Sequence, residues 1–130
     1  HTLQHSFPTR RSSDLECIAH PNYKKMVLKA KDRSTVVMGR TLGHPARVLH
    51  NKLTRKYEEL EAAGAPAEEL EKLGVGSLHR ATHEGDVENG SVMIGEISGM
   101  LHDIKPVKAI IEDIVAGLPG VIETIQDDCR

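Results

Sequence analysis

The sequence predicts a mostly α-helical chain of five or six helices with one short strand. Apolar residues recur at helical spacing along most of its length, and proline and glycine stand where helices would begin and end. Only residues 34–38, STVVM, form a β-branched run typical of a strand. At 130 residues the chain can bury one modest core, but it is short for a protein that encloses a cofactor and a substrate.

The first predicted helix begins at Pro21, because a first helical residue tolerates a missing N–H, and it ends near Lys31. Its apolar residues recur at i, i+3, i+4 and i+7: Tyr23, Met26, Val27 and Ala30. The strand at residues 34–38 follows. A lone strand cannot satisfy its own backbone donors and acceptors, so we expect its partner to lie in missing sequence.

The longest predicted element is a second helix of about 18 residues that opens at Pro45 and closes at Gly64. Its apolar stripe comprises Ala46, Leu49, Leu53, Tyr57 and Leu60. A short helix over residues 66–73 comes next, and Ser77 is a suitable N-cap for another helix that runs towards His83.

Two further helices are predicted in the last third of the chain. The first covers residues 93–104 and contains Gly95 and Gly99, which suggests that a backbone or ligand approaches this helix closely. The second begins at Pro106, breaks at Gly117 and resumes weakly after Pro119.

Composition excludes several classes of function. The three aromatic residues, Phe7, Tyr23 and Tyr57, are too few to build base-stacking surfaces, so we expect no nucleic-acid partner. No apolar run approaches the roughly 20 residues that span a bilayer, so we expect no membrane insertion. Cys17 and Cys129 stand far apart without a second pair, which favours a reducing, cytoplasmic compartment over a disulfide framework.

The first fifteen residues are expected to be foreign to the rest of the chain. Residues 5–15, HSFPTRRSSDL, match one reading frame of a widely used sequencing-library adapter at every position. They show no apolar period and no signal-peptide core. We therefore predict a disordered, adapter-derived segment at residues 1–15 and a helical part of a larger protein at residues 16–130. A disordered native tail is the alternative.

Charge is distributed unevenly along the chain. Residues 16–57 carry ten Lys or Arg against two acids, whereas residues 58–130 carry five against sixteen. Two solvated faces of opposite sign would explain this pattern. Alternatively, the basic half meets an acidic partner such as an acyl carrier protein through electrostatic attraction.

No catalytic centre is evident from residue types and spacing. His79 and His83 stand four residues apart on a predicted helix, but the intervening sequence lacks the glutamate of HExxH and no third ligand follows, so we reject a zinc site. The glycines of Gly74-Val75-Gly76-Ser77 are explained by a helix end and a tight turn, with an anion cradle as the alternative.

Three stretches together resemble the C-terminal third of FMN-dependent enoyl-acyl-carrier-protein reductase II, and less closely the nitronate monooxygenases on the same barrel. They are ECIAHPNYKKMVLKAKDRSTVV, GHPARVLHNKLTRKYEELEAAG and LGVGSLHRATHEGDVENGSVMIGEISGMLHDIKPVKAIIEDI. The resemblance implies a parent (β/α)₈ TIM barrel that uses FMN and NAD(P)H, of which this chain is a helical part. In the family the catalytic histidine and the FMN phosphate grip lie upstream, so we expect no catalytic residue here and no activity of the chain alone.

The resemblance also implies two sets of site residues. The segment SVMIGE matches a family pattern that runs near the flavin and usually ends Met-Ala-Gly-Gln, which places cofactor-binding residues at Met93, Gly95 and Glu96. Here Ile94 and Glu96 depart from the pattern: an isoleucine adds bulk, and a carboxylate would disfavour an anionic reduced flavin. A monovalent-cation site formed by backbone carbonyls implies metal ligands at Leu73, Val75, Asn89 and Ser91.

Three hypotheses follow for function. The parent protein reduces the double bond of an enoyl thioester carried by acyl carrier protein, or it oxidises nitronates, or the chain is a free-standing helical interaction module. Under the first two, the partner of this chain is the rest of the parent barrel, and a homodimer is left open.

Overall fold

The computed structural model describes residues 13–129 of the chain. Helices dominate, as predicted, with one short two-stranded sheet. The elements are α1 (Pro21–Lys29), β1 (Thr35–Met38), β2 (Ala46–Leu49), α2 (Lys52–Ala62), α3 (Ala67–Gly74), α4 (Ser77–His79, continued by a π-helical turn at Arg80–Glu84), a 3₁₀ helix (Glu96–Met100) and α5 (Val107–Asp128).

Helix α1 begins as the sequence predicts, with Pro21 in its first turn. The imidazole of His20 caps it, because Nδ1 accepts the backbone N–H of Asn22 at 3.1 Å. The His20 N–H donates to the Thr82 carbonyl at 2.7 Å, and the Asn22 amide donates to the Gly85 carbonyl at 3.1 Å. The start of α1 is therefore fastened to the end of α4.

The prediction of a single unpaired strand was wrong, because β1 pairs with β2 inside the chain. The pairing is antiparallel, from Thr35 opposite Leu49 to Met38 opposite Ala46. The connecting loop turns at Gly39 and Gly43, which both have positive φ. Ala46 and Leu49 have helical spacing, but in this structure they belong to a strand, and α2 begins only at Lys52.

Asn51 sets the start of α2. Its side chain accepts the N–H of Thr54 while the Thr54 hydroxyl accepts the N–H of Asn51, which is a complete capping box. The Asn51 amide also donates to the carbonyls of Val87 and Gly90, both at 2.8 Å. One buried side chain therefore holds α2 and the loop over residues 85–90 together.

Helices α3 and α4 form close to their predicted places, with one change at the cap. Gly76, which has a φ of 68°, is the N-cap of α4, and Ser77 is its first helical residue. The Ser77 hydroxyl donates back to the Gly74 carbonyl at 2.7 Å instead of capping the helix ahead of it. The positive φ of Gly76 and the hydrogen bond from Ser77 to Gly74 therefore both define the turn between α3 and α4.

The predicted helix over residues 93–104 was wrong. Residues 91–95 are extended and lie along β2, with Met93 bridged to Val48 and the Leu49 N–H donating to the Val92 carbonyl at 2.9 Å. Only Glu96–Met100 is helical, and it is a 3₁₀ helix. A Cβ on Gly99 would lie 2.8 Å from the Asp32 carboxylate, so this glycine permits close packing on the turn after α1.

An apolar core joins α1, β2, α4 with its π-helical turn, and the segment at residues 91–95. Its buried members are Tyr23, Val27, Ala30, Leu49, Ala81, Val92, Ile94 and Leu101. Val92 and Ile94 alternate along an extended segment, so both reach the same side. This core fixes the position of Met93 between them.

Helix α5 does not break at Gly117 as predicted but runs continuously through Pro119. Proline removes one backbone hydrogen bond, yet Val115, whose carbonyl loses its partner, is 59% exposed and can be hydrated. Within residues 13–129, no helix is both long and apolar enough to cross a membrane.

The predicted disordered segment at residues 1–15 falls largely on residues 1–12, which lie outside the described part of the chain. Residues 13–15 differ from that prediction, since Ser13 and Asp14 are buried. The Lys24 ammonium donates to the Asp14 carbonyl at 2.6 Å, because a buried cation requires a partner. The Leu15 N–H donates to the Lys105 carbonyl at 3.0 Å.

Candidate functional site

The candidate cofactor segment, residues 93–96, lies where the extended chain passes into the 3₁₀ helix. Met93 is half-buried beside β2, and Glu96 is exposed at the start of the 3₁₀ helix. Gly95 caps that helix, and its carbonyl accepts the Ser98 N–H at 3.2 Å. The structure therefore presents Met93, Gly95 and Glu96 as one continuous edge, and their role in cofactor binding stays a prediction.

Tyr23 positions this edge from inside the core. Its hydroxyl donates to the Met93 carbonyl at 2.6 Å, and the ring is 2% exposed. Burial, with a smaller contribution from Cys17, raises the pKa of Tyr23 from 10.0 to about 12. The phenol therefore stays a hydrogen-bond donor far above neutral pH, so the Met93 backbone is held in one orientation.

Ile94 does not add bulk at the exposed edge. Its side chain is 2% exposed and belongs to the core with Tyr23 and Val27. The side chain at position 94 therefore faces away from the edge formed by its neighbours, because successive residues of an extended segment face opposite sides. The steric consequence expected from this departure does not apply.

The charge of Glu96 is compensated by Arg47 on β2. The guanidinium Nη2 lies 2.6 Å from Glu96 Oε1, and Nη1 donates to the Thr35 hydroxyl at 3.0 Å. The two side chains are 34% and 71% exposed, so the pair adds little stability. It does place a cation beside the carboxylate, which reduces the field that a nearby anionic ring would meet.

One buried polar group of this region has no partner within the described residues. The Ser98 hydroxyl, two residues beyond Glu96, is fully buried and has no hydrogen-bond partner among residues 13–129. Such an unsatisfied group costs about 1–3 kcal/mol unless a ligand or further chain reaches it. Met93 adds a polarisable side chain suited to aromatic contact.

The two segments of the predicted cation site are brought together by a pair of serines. The Ser77 and Ser91 hydroxyls are 2.7 Å apart, and the Ser91 N–H donates to the Ser77 carbonyl at 2.9 Å. Both serines are buried. This contact joins the end of α3, with Leu73, and the turn that contains Val75 to the segment that contains Asn89 and Ser91.

Individual carbonyls of this predicted site have different surroundings. The Val75 carbonyl accepts the Arg80 guanidinium at 3.4 Å, and a cation already stands there. The side chain and N–H of Asn89 donate to Asp86 at 3.0 Å, and these bonds lower the pKa of Asp86. Cation binding by Leu73, Val75, Asn89 and Ser91 stays a prediction.

The histidine pair on α4 stacks. The rings of His79 and His83 lie 4.5 Å apart at an interplanar angle of 13°, and His79 Nδ1 lies 3.3 Å from Glu84. Among residues 13–129, no three His, Cys, Asp or Glu side chains converge as metal ligands would. The stacking of the two rings and the contact of His79 with Glu84 account for the spacing of the two histidines.

Sequence reasoning missed Asn51, which joins β2, α2 and the loop before Ser91. It is 4% exposed and makes hydrogen bonds at both ends of its amide. The signal was present, because Asn followed three residues later by Thr at a helix start is a capping pattern. Because the second helix was predicted to begin at Pro45, Asn51 lay inside that predicted helix and was not recognised as its N-cap.

A protein-family model and two solved structures match this chain. A family model described as nitronate monooxygenase matches residues 13–117. The solved structure of FabK from Thermotoga maritima is similar at 44% identity and a TM-score of 0.85, covering 92% of this chain. A methionine-to-alanine mutant of FabK from the same organism is similar at 40% identity and a TM-score of 0.75, again over 92% of this chain.

The matched region covers most of this chain but a minor part of each relative. This chain spans 38% of the FabK chain and 35% of the mutant chain. FabK is a TIM-barrel enzyme, and the mostly helical architecture described above is consistent with part of such a barrel.

Proposed function

Because this chain belongs to the nitronate monooxygenase family, we propose that it is the C-terminal part of a flavin-dependent oxidoreductase, an enoyl-acyl-carrier-protein reductase II. The observation that carries this proposal is the similarity to FabK, 44% identical over 92% of the chain. The family model covers residues 13–117, which include the segment at residues 91–95. The reductase resemblance of the three sequence stretches points the same way.

The chain is proposed to be inactive alone. Within residues 13–129, the group whose pKa is strongly raised, Tyr23, is buried and donates to the Met93 carbonyl. A general acid or base needs access to a reacting atom, and Tyr23 has none. The parent protein would supply the catalytic histidine and the phosphate grip for FMN.

The proposed contribution of this chain is to position one edge of the cofactor site. When bound, FMN supplies hydride transfer between NAD(P)H and the substrate double bond. Tyr23 holds the Met93 carbonyl, Arg47 neutralises Glu96, and the Ser98 hydroxyl offers a donor that has no other partner within residues 13–129. A cytoplasmic location is part of the same proposal.

Nitronate oxidation is the second candidate. The description of the matching family model favours it. Both reactions use the same flavin barrel, and the residues that distinguish the substrates lie outside this chain in the proposed parent. The reductase stands first because of the 44% identity to FabK.

A free-standing helical module is the third candidate. The pairing of β1 with β2 removes one objection to it, since β1 has a partner strand inside the chain. The exposed apolar face of α5 favours a missing partner instead. Seven large apolar residues of this helix are between 51% and 61% exposed: Ile111, Ile114, Val115, Leu118, Val121, Ile122 and Ile125.

A chimera tests the proposal. Residues 13–130 of this chain replace the matched region of Thermotoga maritima FabK, and NAD(P)H oxidation is measured with an enoyl thioester. Oxidation of a nitronate is measured separately, without NAD(P)H, as consumption of O₂. We expect FMN to copurify and the thioester to be reduced, while FabK truncated before this region is inactive. Oxidation of the nitronate without reduction of the thioester would favour the second candidate. FMN binding by the 130-residue chain alone would contradict the fragment proposal.

A further inference from the structure

Three consecutive side chains near the start of α1 donate hydrogen bonds to main-chain carbonyls outside the helix. They are Asn22, Tyr23 and Lys24, and we call them the α1 anchor. Each donor has its acceptor in a different segment of the chain. In the same order, the accepting carbonyls are those of Gly85 at 3.1 Å, Met93 at 2.6 Å and Asp14 at 2.6 Å.

The geometry of a helix explains how neighbouring residues reach three separate segments. Successive side chains on an α-helix project about 100° apart, because the helix has 3.6 residues per turn. The helix itself is fixed in the core through Tyr23 and Val27, which are 2% and 0% exposed. One rigid element therefore holds the segment at residues 13–17, the end of the π-helical turn and the candidate cofactor edge.

The acceptors of the α1 anchor do not depend on the side chains of the segments that it holds. Every residue has a main-chain carbonyl, so a donor that contacts only carbonyls tolerates sequence change in its partner. Leu15 illustrates this, because its side chain is 57% exposed while its backbone is bonded on both sides. Its N–H donates to the Lys105 carbonyl at 3.0 Å, and its carbonyl accepts the Lys24 ammonium at 3.4 Å.

Burial ranks the three donors of the α1 anchor. Lys24 is 8% exposed and has two carbonyls as acceptors, and hydrogen bonds from charged donors are roughly twice as strong as neutral ones. Tyr23 is also buried, so loss of its hydroxyl leaves the Met93 carbonyl without this donor. Asn22 is exposed, and water competes for its bond. Lys24 and Tyr23 therefore contribute more than Asn22.

We propose that the α1 anchor sets the positions of these three segments independently of one another, each through its own main-chain carbonyl. Tyr23 is then a positioning residue for the candidate cofactor edge, which acts through the backbone of Met93. This inference goes beyond the proposed function, because it holds whether the parent protein reduces enoyl thioesters or oxidises nitronates.

The test is amide hydrogen exchange of the 130-residue chain, followed residue by residue by NMR. The variants are Asn22→Ala, Tyr23→Phe and Lys24→Met, and each removes one donor. The reporters are amides that are themselves hydrogen-bonded in the three segments: Asp86 and Val87 for Asn22, Ser91 and Ile94 for Tyr23, and Leu15 and Cys17 for Lys24.

We expect exchange to accelerate by about tenfold at the reporters of Tyr23 and of Lys24, and by about threefold at those of Asn22. The reporters of the other two segments should change by less than about twofold in each variant. Lys25→Met is the matched control, since it makes the same chemical change at an exposed position one residue further along α1. It should leave all reporters within about twofold.

Equal acceleration at all reporters would show a general loss of stability and would overturn the proposal. Unchanged exchange at the reporters of Tyr23 and Lys24 would overturn it as well. Acceleration by Lys25→Met as large as that by Lys24→Met would show that the contact with the Asp14 carbonyl is not responsible.

A second measurement asks whether the edge held by Tyr23 is used by the cofactor, and this part rests on the proposed function. In the chimera with FabK, Tyr23→Phe should raise the Kd for FMN by about fivefold, because the edge is less well preorganised, and Lys25→Met should leave it within about twofold. If the unmodified chimera binds no FMN, the proposed function fails, and the exchange result still decides the α1 anchor. If Tyr23→Phe leaves the Kd unchanged, Tyr23 does not position the cofactor edge.

Discussion

The body of the molecule, residues 13–110, and the rest of α5 both contain regularly spaced apolar residues, but only the body buries them. In the body, the apolar residues of α1, β2 and the segment at residues 91–95 close on one another in a core. From Ile111 onward α5 keeps a regular apolar face that is more than half exposed, and Ile110 is its one buried residue. A helix with such an apolar face normally packs that face against a hydrophobic core. Within residues 13–129, no other element buries the face of α5.

The width of that face bears on the kind of surface that we propose to pack on it. Its members recur three per seven residues, as in Ile111, Ile114, Val115 and again Leu118, Val121, Ile122. A stripe this wide is typical of a helix packed on a globular core, whereas a coiled-coil seam uses two positions per seven. The difference between the two regions is therefore explained if the remainder of a barrel packs on α5.

The sharpest test of this comparison is one substitution made in both regions. Ile94→Ala should lower the free energy of unfolding by about 3 kcal/mol, because a fully buried isoleucine leaves a cavity. Ile114→Ala should change it by less than about 0.5 kcal/mol, since that side chain is 61% exposed. Urea denaturation followed by circular dichroism measures both, and equal costs would remove the distinction between the regions.

Asn51 tests how the body holds its loops. Asn51→Ala should cost about 2–3 kcal/mol of unfolding free energy, because it removes the N-cap of α2 and leaves the Val87 and Gly90 carbonyls without a donor. Asn51→Ser is the control, since its uncharged hydroxyl can still accept the Thr54 N–H while the two amide donors are lost. An alanine variant as stable as the serine variant would show that the cap contributes nothing.

Tyr23 links the core to the cofactor edge and gives a pH dependence. Its pKa is about 12 in the folded chain against 10.0 when free, so the folded state binds the proton more tightly. The contribution of the protonated Tyr23 phenol to the free energy of unfolding is fully present below pH 10 and is lost as pH rises from 10 to about 12. That contribution is roughly 2.5 kcal/mol. The measurement is unfolding free energy against pH for the unmodified chain and for Tyr23→Phe. The two curves should converge with rising pH, and parallel curves would contradict the assignment.

The smallest expected effect lies at the exposed edge. Glu96→Gln should change the unfolding free energy by less than about 1 kcal/mol, because its pair with Arg47 is open to solvent. High salt should reduce the difference further. Arg47→Met is the contrasting variant, since it also loses the bond to Thr35 and should cost more. A loss above 2 kcal/mol for Glu96→Gln would mean that this edge is part of the core.

The sequence predicted those elements whose signals are local. Pro21 marks the first turn of α1, and Gly64, with its positive φ, follows the end of α2. Local signals failed where pairing is remote. Ala46 and Leu49 have a spacing compatible with a helix, and only the partner strand β1 decides that they form a strand.

The candidate site was predictable only through family resemblance. Met93 and Glu96 carry no distinctive spacing, and the contacts that define their edge come from Tyr23 and Arg47, far away in sequence. Ile94 illustrates the limit, because an apolar residue in a short segment fits either a helix or a strand. Its burial beside Val27 follows from the extended backbone, which periodicity alone did not indicate.

The most direct test of the central proposal, that the rest of a barrel packs on α5, is hydrogen–deuterium exchange of Val107–Asp128. It is measured in the 130-residue chain alone and in the chimera with FabK. The account predicts fast exchange of α5 in the chain alone, with the body protected, and strong protection of α5 in the chimera. Equal protection of α5 in both would contradict it and would favour a free-standing helical module.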